Sequence, residues 1–381
     1  MKYIYTIFIV IILVSCKNDT KQKTYSPDLV MELDTFLINQ KGRILDLNSL
    51  KFLLDLSPDK TTLILYNNFN HSVDKVDLLK LEFIENYSLS KDGPNGTGEY
   101  VSSIQIMNDS LFFIKSFDKS AIFNKNGKLS KRITWNSSKN ENNEIFTGYL
   151  KSEIICFNEE KIVFGLNFDQ HKRSVHLNIL SVQSNTFTQH YIDPDSSYSN
   201  YILTVDDPSD YSFFDPWVFM SKENDLILIT HEFSNEIIVF NSKGVHTKTI
   251  RYNPHLTRPK VNFKNDNGIP SIDYLRSVYL DFFEQVSYGP LVWDSMNKKY
   301  LRLSASRKFS ETTKEGQFFP DVIKTDVYLS LFDSNLNFLD DFHLKNLTSI
   351  GGKYFAKDGK LWLTQNFFDE LGFIIIDYNT K

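Results

Sequence analysis

The chain has 381 residues, of which 41% are hydrophobic and 14% aromatic, enough for one large domain or two ordinary ones. Its net charge of −5 at pH 7 and the lack of any basic run argue against a nucleic-acid-binding protein. The two cysteines, Cys16 and Cys156, are too few for a disulfide framework. Cys156 lies in an apolar run, so we expect a buried thiol, with a reactive thiol as the alternative.

The first predicted element is an export signal. Lys2 precedes an apolar stretch at 4–14, which suits a signal peptide and is short for a transmembrane helix of about 20 residues. The stretch ends in Leu13-Val14-Ser15-Cys16, which resembles the lipobox of bacterial lipoproteins. That resemblance implies removal of residues 1–15 and acylation of Cys16. The alternative is an uncleaved anchor helix, or an ordinary signal peptide with a chance cysteine.

A polar segment at 16–30 follows and is predicted to be a flexible tether. Its lysine followed closely by Asp19 is a partial match to the surface-export signal of Bacteroidota lipoproteins. Because several acyl chains hold a protein stably at a membrane, the membrane is an expected partner through Cys16. We therefore expect an outer-membrane lipoprotein, either periplasmic or surface-exposed.

From residue 31 onward, short apolar runs recur between turn signals. Continuous runs of this kind predict strands that are covered on both faces. One set of runs lies at 62–66, 111–114, 161–164, 226–229 and 361–363, and a second at 121–123, 176–180, 237–240, 328–332 and 373–376. The turns that begin each unit lie at 57–60, 108–109, 158–160, 222–225, 294–297 and 357–359. They indicate six units, each with the pattern strand, tight turn, strand, variable loop, strand, tight turn, strand.

Six four-stranded antiparallel units predict an all-β fold, a six-bladed β-propeller over residues 31–381. The sixth unit ends before a fourth strand, and a spare strand is available at 33–38. Pairing the two would close the ring and remove an exposed edge. A pair of β-sandwich domains is the alternative fold, although it leaves the missing strand unexplained.

Three segments are too long to be tight turns: 192–215, 251–286 and 304–325. If the strands of a blade are named a to d from the axis outward, all three are d–a or b–c links. Such links emerge on one face of a propeller, so we expect the segments to converge there, with a short helix at 271–280. Their aromatic residues could form a recognition surface or simply seal the fold.

The chain resembles the six-bladed propeller lipoproteins of Bacteroidota, and in particular the group named DUF4221. The resemblance rests on Tyr-Gly-Pro-Leu-Val-Trp-Asp at 288–294, Tyr-Leu-Arg-Leu at 300–303, the glycine-rich loop at 93–98 and the lipobox. It covers essentially the whole mature chain and implies the propeller fold. The group has no established activity that could be carried over to this sequence.

The candidate ligand-binding residues are Asp215, Trp217, His231, Trp293 and Arg302, and we expect Trp217 and Arg302 near the channel mouth on the loop-rich face. Arg302 is charged in mid-strand, so it must be paired between blades or contact a ligand in the channel. The aromatic residues at 213–217 are either core or a ligand platform. We assign no catalytic residue.

No metal site is predicted, because the eight histidines are scattered and no metal-binding motif is present. Asp193 and Asp195 resemble the start of a calcium loop without its later ligands, so bound Ca²⁺ is an alternative to a solvated acidic turn. We expect no other cofactor and no nucleic-acid partner. The expected function is binding of a peptide, glycan or protein partner without catalysis. The alternative is a propeller hydrolase or lyase with a carboxylate or metal site at the axial channel.

Overall fold

The computed structural model describes residues 32–48, 50–117, 119–156, 161–169, 174–206, 212–264 and 268–378. The predicted signal peptide, Cys16 and the tether lie outside these residues. Cys156 lies on a described strand, but its side chain is outside the described part of the chain. Among the described residues, no helix has the length and apolar character to span a membrane.

The strands and helices follow one another in a regular order. Strand β1 (Glu32–Leu37) opens the described chain. Blade 1 contains β2 (Leu54–Leu56), β3 (Thr62–Asn67), β4 (Ser72–Asp77) and β5 (Glu82–Ser88). Blade 2 contains β6 (Val101–Asn108), β7 (Leu111–Ser116), β8 (Ser120–Asn124) and β9 (Leu129–Ile133). A 3₁₀ turn (Trp135–Ser137) leads to blade 3, which contains β10 (Leu150–Cys156), β11 (Ile162–Asp169), β12 (Ser174–Ser181) and β13 (Thr186–Tyr191).

The second half adds elements between its blades. A second 3₁₀ turn (Ser199–Tyr201) and a small hairpin, β14 (Leu203–Thr204) and β15 (Phe213–Phe214), precede blade 4. Blade 4 contains β16 (Val218–Glu223), β17 (Leu226–His231), β18 (Ser234–Asn241) and β19 (His246–Ile250), and helix α1 (Ile272–Gln285) follows it. Blade 5 contains β20 (Ser287–Asp294), β21 (Lys299–Phe309), β22 (Val322–Phe332) and β23 (Phe338–His343). The last strands are β24 (Tyr354–Lys357), β25 (Lys360–Phe367) and β26 (Glu370–Asp377).

These strands form six four-stranded antiparallel sheets, which confirms the six-bladed propeller and rules out the β-sandwich alternative. In five blades the strand order follows the sequence. The sixth has the order β1-β26-β25-β24, so the N-terminal strand completes the last blade as predicted. The two partners are antiparallel in continuous register, with Thr35 opposite Ile374.

The hydrophobic core is divided among the interfaces between blades. Six clusters of buried residues are present, and each joins two neighbouring blades. The middle strands contribute from both faces, since Ile64 packs toward blade 2 while Leu63 and Leu65 pack toward blade 6. This arrangement explains why the middle strands are apolar at successive positions rather than at alternate ones.

The loops divide the molecule into two unlike ends. The d–a and b–c links emerge at one end, which we call the loop-rich face, and the short a–b and c–d turns form the other end, the turn face. Five of the six predicted a–b turns lie between strands a and b, and the sixth, at 158–160, is outside the described residues. The prediction for 304–325 is partly wrong, because strand structure continues to Phe309 and resumes at Val322, leaving a loop only at 310–321.

The predicted helix is present and is longer than expected. Ser271 caps its N-terminus by accepting a hydrogen bond from the Tyr274 N–H, and the helix continues to Gln285. Leu275, Val278, Tyr279 and Phe282 form its buried stripe and join the cluster between blades 4 and 5.

The three long segments converge as predicted. Phe214 of the first segment packs on Tyr279 of the second at 4.0 Å between ring centroids, and on Phe318 and Phe319 of the third at 5.3 and 5.5 Å. Most of these aromatic side chains are buried or half-buried, so much of this cluster closes the fold. Phe213 of the first segment and Tyr274 of the second are exceptions, with 53% and 43% of their surface exposed. Tyr211 is outside the described residues.

Candidate functional site

The innermost strands of all six blades surround an axial channel with a cavity of about 1270 Å³. Each strand a enters this channel from the loop-rich face and leaves at the turn face. Residues just before a strand a therefore surround the mouth on the loop-rich face, which we call the channel mouth. Residues at the other end of each strand a lie near the turn face.

An aromatic stack crosses the channel mouth. Phe52 precedes strand a of blade 1 and Trp217 precedes strand a of blade 4. Blades 1 and 4 lie opposite each other in the circle of six blades, so the two side chains come from opposite sides of the channel. Their rings stack with centroids 4.3 Å apart, yet 36% of Phe52 and 47% of Trp217 is exposed. The Lys51 Nζ lies over the rings of Trp217 and Phe219 at 5.6 and 5.5 Å, within cation–π range.

Two further charged groups lie close to Lys51 in the channel wall. Glu232 is buried, and its Oε2 accepts a hydrogen bond from the Trp217 N–H at 3.1 Å. Arg307 donates to the Ser287 hydroxyl at 2.8 Å and covers the ring of Phe283. Burial lowers the pKa of Lys51, with Glu232 opposing that shift and Arg307 adding to it. Lys51 and Arg307 are thus two positive charges near the single carboxylate of Glu232, which leaves a local excess of positive charge beside the cavity.

The same mouth carries an ion pair between blades 3 and 4. Asp215 contacts Lys151, whose ammonium also lies over the Phe168 ring at 5.4 Å. Tyr149, in the link that precedes the same strand as Lys151, is 54% exposed. Asp215 and Trp217 therefore lie at the channel mouth, as the sequence predicted.

A second set of charged residues lines the cavity, from its middle to its turn-face end. Asp55 of blade 1 pairs with Lys353, which precedes blade 6, at 2.9 Å. Burial raises the pKa of Glu223, while Lys60 and the N–H of Trp293 favour its charged form. Trp293 lies at this end of the channel, where its carbonyl accepts from the Lys60 Nζ at 2.9 Å and its ring packs on Tyr300.

Arg302 lies between blades 4 and 5 and is fully buried. Its guanidinium donates to backbone carbonyls at 2.8 to 3.2 Å and lies 4.5 Å from the centroid of the Tyr288 ring. The carbonyls belong to Gly289, His231, Ser234 and Asn235. Of the two roles expected for Arg302, this geometry matches the contact between blades, and no part of its side chain reaches the channel surface.

His231 ends strand b of blade 4 and is also fully buried. Its Nδ1 accepts from the Phe233 N–H at 2.9 Å, and its ring lies 4.7 Å from Tyr198 and 5.4 Å from Tyr201. Burial, with a smaller contribution from Arg302, lowers the pKa of His231 to about 3. The ring is therefore neutral at physiological pH and forms part of the packing.

Four of the five sequence-predicted residues line the axial cavity, namely Asp215, Trp217, His231 and Trp293, whereas Arg302 does not. Asp215 and Trp217 meet at the channel mouth, Trp293 lies at the opposite end, and His231 and Arg302 lie together in the interface between blades. The candidate calcium loop also has other partners. The Asp193 carboxylate accepts from the backbone N–H groups of Tyr198 and Ser199, and Asp195 pairs with Arg251.

The sequence did not single out the residues that accompany Asp215 and Trp217. Lys51 and Phe52 precede a strand of only three residues, too short to show a pattern. Glu232 and Arg307 lie in a b–c loop and near the end of a long strand, where charged residues are common. Their position in the chain could have identified several of these residues. Just before or at the start of an innermost strand lie Lys51, Phe52, Tyr149 and Trp217.

The sequence matches the model of the family described as "Domain of unknown function (DUF4221)" over residues 24–341. Among solved structures, the chain is similar to a DUF4221 family member from Bacteroides vulgatus, with 10% identity and a TM-score of 0.60 over 92% of this chain and 97% of that one. A presumed exported protein of Bacteroides fragilis gives a TM-score of 0.47 at 10% identity, over 91% of this chain and 94% of that one. At 10% identity, the similarity to the Bacteroides vulgatus member shows the fold alone.

No curated protein matches the sequence. The family model spans most of the chain, and the fold of the Bacteroides vulgatus member agrees with the six blades described above. The chain therefore belongs to the DUF4221 family.

Proposed function

We propose that this protein is a lipid-anchored propeller of the bacterial cell envelope that binds a peptide, glycan or protein partner at its loop-rich face. The observation that carries the proposal is the distribution of exposed aromatic side chains. Eleven aromatic residues in the described part of the chain are prominently exposed, and nine of them lie in d–a or b–c links. The nine are Phe52, Phe69, Tyr100, Phe117, Tyr149, Phe213, Trp217, Tyr274 and Phe368.

The turn face offers a contrast within the same molecule. Its exposed apolar side chains include Leu79, Val245 and Met296, and none of the described a–b or c–d turns carries an exposed aromatic residue. Exposed aromatic rings cost solvation without stabilising the fold, and they give a large contact area with little entropy lost on binding. Their concentration on one face favours recognition there.

The channel mouth supplies both parts of a ligand contact. Phe52 and Trp217 present apolar ring surface, and Lys51 and Arg307 present positive charge beside it. A partner that combines a flat apolar group with an acidic group would complement this arrangement. Such groups occur in acidic glycans and in peptides.

The carboxylates that could support the enzyme alternative already have partners. Glu153 accepts from Trp135, Ser120 and Lys115, Asp55 accepts from Lys353, and Glu223 accepts from the Trp293 N–H. A general acid or base needs access to the substrate proton as well as a shifted pKa. For this reason we favour binding over hydrolysis or lyase chemistry.

The test compares two double variants of the full chain. Phe52→Ala with Trp217→Ala removes the aromatic stack of the channel mouth, while Leu79→Ala with Met296→Ala removes exposed apolar side chains from the turn face. Glycan and peptide arrays should identify a ligand for the wild-type protein. The channel-mouth variant should bind that ligand at least about tenfold more weakly, because aromatic residues at the centre of a binding site are enriched among those whose truncation costs about 2 kcal/mol or more.

The turn-face variant should bind as the wild type does, and thermal unfolding should show that both variants are folded. Equal binding by the channel-mouth variant and the wild type would remove the loop-rich face from consideration. Equal losses in both double variants would point to a general effect on the fold rather than to a binding face.

A further inference from the structure

A cluster of potential metal ligands lies at the outer rim, away from the channel. His255 belongs to the link between blades 4 and 5, and Asp340 and Asp341 lie on strand d of blade 5. One ligand atom from each of the three residues lies within 4.8 Å of the other two. The cluster has no role in the proposed function, and the inference drawn from it is independent of that function.

The Asp341 side chain is buried and oriented by hydrogen bonds, as the side chains of metal ligands usually are. The residue is 2% exposed, and its Oδ2 accepts hydrogen bonds from the backbone N–H groups of His255 and Leu256, both at 2.9 Å. Its Oδ1 is buried without a hydrogen-bond donor and lies 3.3 Å from the His255 Nδ1. A carboxylate with one oxygen fixed by the backbone and the other left without a donor is costly when buried, unless a cation neutralises it.

The spacing suits a small transition-metal ion. Bonds of about 2.0–2.1 Å to nitrogen and oxygen ligands in a tetrahedron place neighbouring ligand atoms about 3.3–3.4 Å apart. The Asp341 Oδ1 and the His255 Nδ1 already have this separation. The Asp340 Oδ1 lies 3.8 Å from the His255 Nδ1 and accepts from the Asp341 N–H at 2.9 Å, so its side chain, which is 42% exposed, would have to move by a few tenths of an ångström to reach this spacing.

From this geometry we propose that His255, Asp340 and Asp341 form a binding site for a divalent transition-metal ion such as Zn²⁺, with water completing the coordination. One imidazole and two carboxylates suit Zn²⁺ better than Ca²⁺, which takes six to eight oxygen ligands. Bound metal would fasten the 251–286 link to the outermost strand of blade 5, and its binding energy would add to the stability of that link.

The competing explanation is a direct hydrogen bond from the His255 imidazole to Asp341, with no metal. Titration calorimetry of the purified full chain with ZnCl₂ separates the two. We expect one equivalent of Zn²⁺ to bind, binding to weaken by at least about tenfold in His255→Ala and in Asp340→Ala, and CaCl₂ to give no comparable heat. Both substitutions change partly exposed side chains, which avoids the loss of folding that a change at Asp341 could cause.

A matched control is present in the same blade. His343 lies 3.3 Å from Asp326, the same distance as in the proposed site, and it has no second carboxylate in a three-ligand cluster among the described residues. His343→Ala should therefore leave Zn²⁺ binding unchanged. Zn²⁺ should also raise the melting temperature of the wild type and of His343→Ala but not that of His255→Ala. Wild-type affinity in His255→Ala, or no Zn²⁺ binding by the wild type, would overturn the proposal.

Discussion

Individual buried polar residues fix how blades 4 and 5 meet. Arg302 donates to carbonyls contributed by the end of strand b and the start of strand c of blade 4, and by its own blade. His231 sits against this arginine with its Nδ1 turned to the Phe233 N–H. A second positive charge on His231 would be buried next to the guanidinium, so its neutral form is part of the folded state.

The lowered pKa of His231 predicts how stability depends on pH. The pKa rises from about 3 in the folded protein to 6.5 on unfolding, so between these values the unfolded chain binds more protons. Stability should therefore be complete above pH 6.5 and fall as the pH decreases below it. The contribution of His231 amounts to about 1.6 kcal/mol of lost stability between pH 6.5 and pH 5.

Denaturant unfolding at a series of pH values measures this slope. His231→Asn keeps an acceptor for the Phe233 N–H but cannot titrate, so it should show a flatter pH dependence than the wild type over that interval. Parallel curves for the wild type and His231→Asn would show that His231 is not the group responsible.

Among the elements, β1 closes the ring of blades. It supplies the fourth strand of blade 6 and pairs along its whole length with β26, the last strand of the chain. Ile38, immediately after it, is 3% exposed and packs in the cluster between blades 6 and 1. The ring is thus closed by noncovalent pairing of the two ends of the chain, and without β1 an edge of β26 would be open.

Deleting residues 33–38 should destabilise the propeller by more than about 3 kcal/mol, because the strand contacts are lost together with the half-buried side chain of Leu33 and the buried side chain of Ile38. Thermal and urea unfolding measure the loss, and deletion of residues 24–29 serves as a control of equal length. A synthetic peptide of residues 31–39 should restore much of the stability by adding as a strand in trans. A deletion variant that unfolds like its parent would show that β1 does not close the ring.

The elements themselves were largely predictable from the sequence, for a physical reason. Blades pack on both faces, so runs such as that at 226–229 are apolar at successive positions and are visible without an alignment. The strand ends were less predictable, because the extension of β21 and β22 beyond the blade carries polar residues such as Lys308 and Lys324. Sites were the least predictable. Asp341 and His255 are 86 positions apart in the chain, and only the fold brings them together.

At the scale of the whole molecule, the two ends of the propeller differ. One end carries the long links, helix α1 and most of the exposed aromatic residues, and the other carries short turns. The sequence predicted this asymmetry from link lengths alone. It did not predict which aromatic residues remain exposed. Tyr198, Tyr201 and Trp217 all lie in the link between blades 3 and 4, yet of these three only Trp217 is exposed.

The proposed acyl anchor predicts where the protein resides in the cell. Cys16→Ala removes the thiol that carries the lipid, so the variant should accumulate as a soluble or unprocessed form. Fractionation and labelling with a radioactive fatty acid measure retention and acylation. Cys156→Ala, which removes the only other cysteine, should behave as the wild type. Membrane retention of a processed Cys16→Ala protein would contradict the lipoprotein assignment.

The direction of β1 sets the end of the propeller at which an N-terminal anchor would be attached. Glu32 pairs with Asp377, at the end of strand c, so the chain enters the propeller at the turn face. The 15 residues at 17–31 span at most about 50 Å when fully extended. An anchor at Cys16 would therefore be joined to the propeller at its turn face, with the channel mouth at the opposite end of the fold. A partner could then reach the channel mouth from the aqueous side without displacing the protein from its anchor.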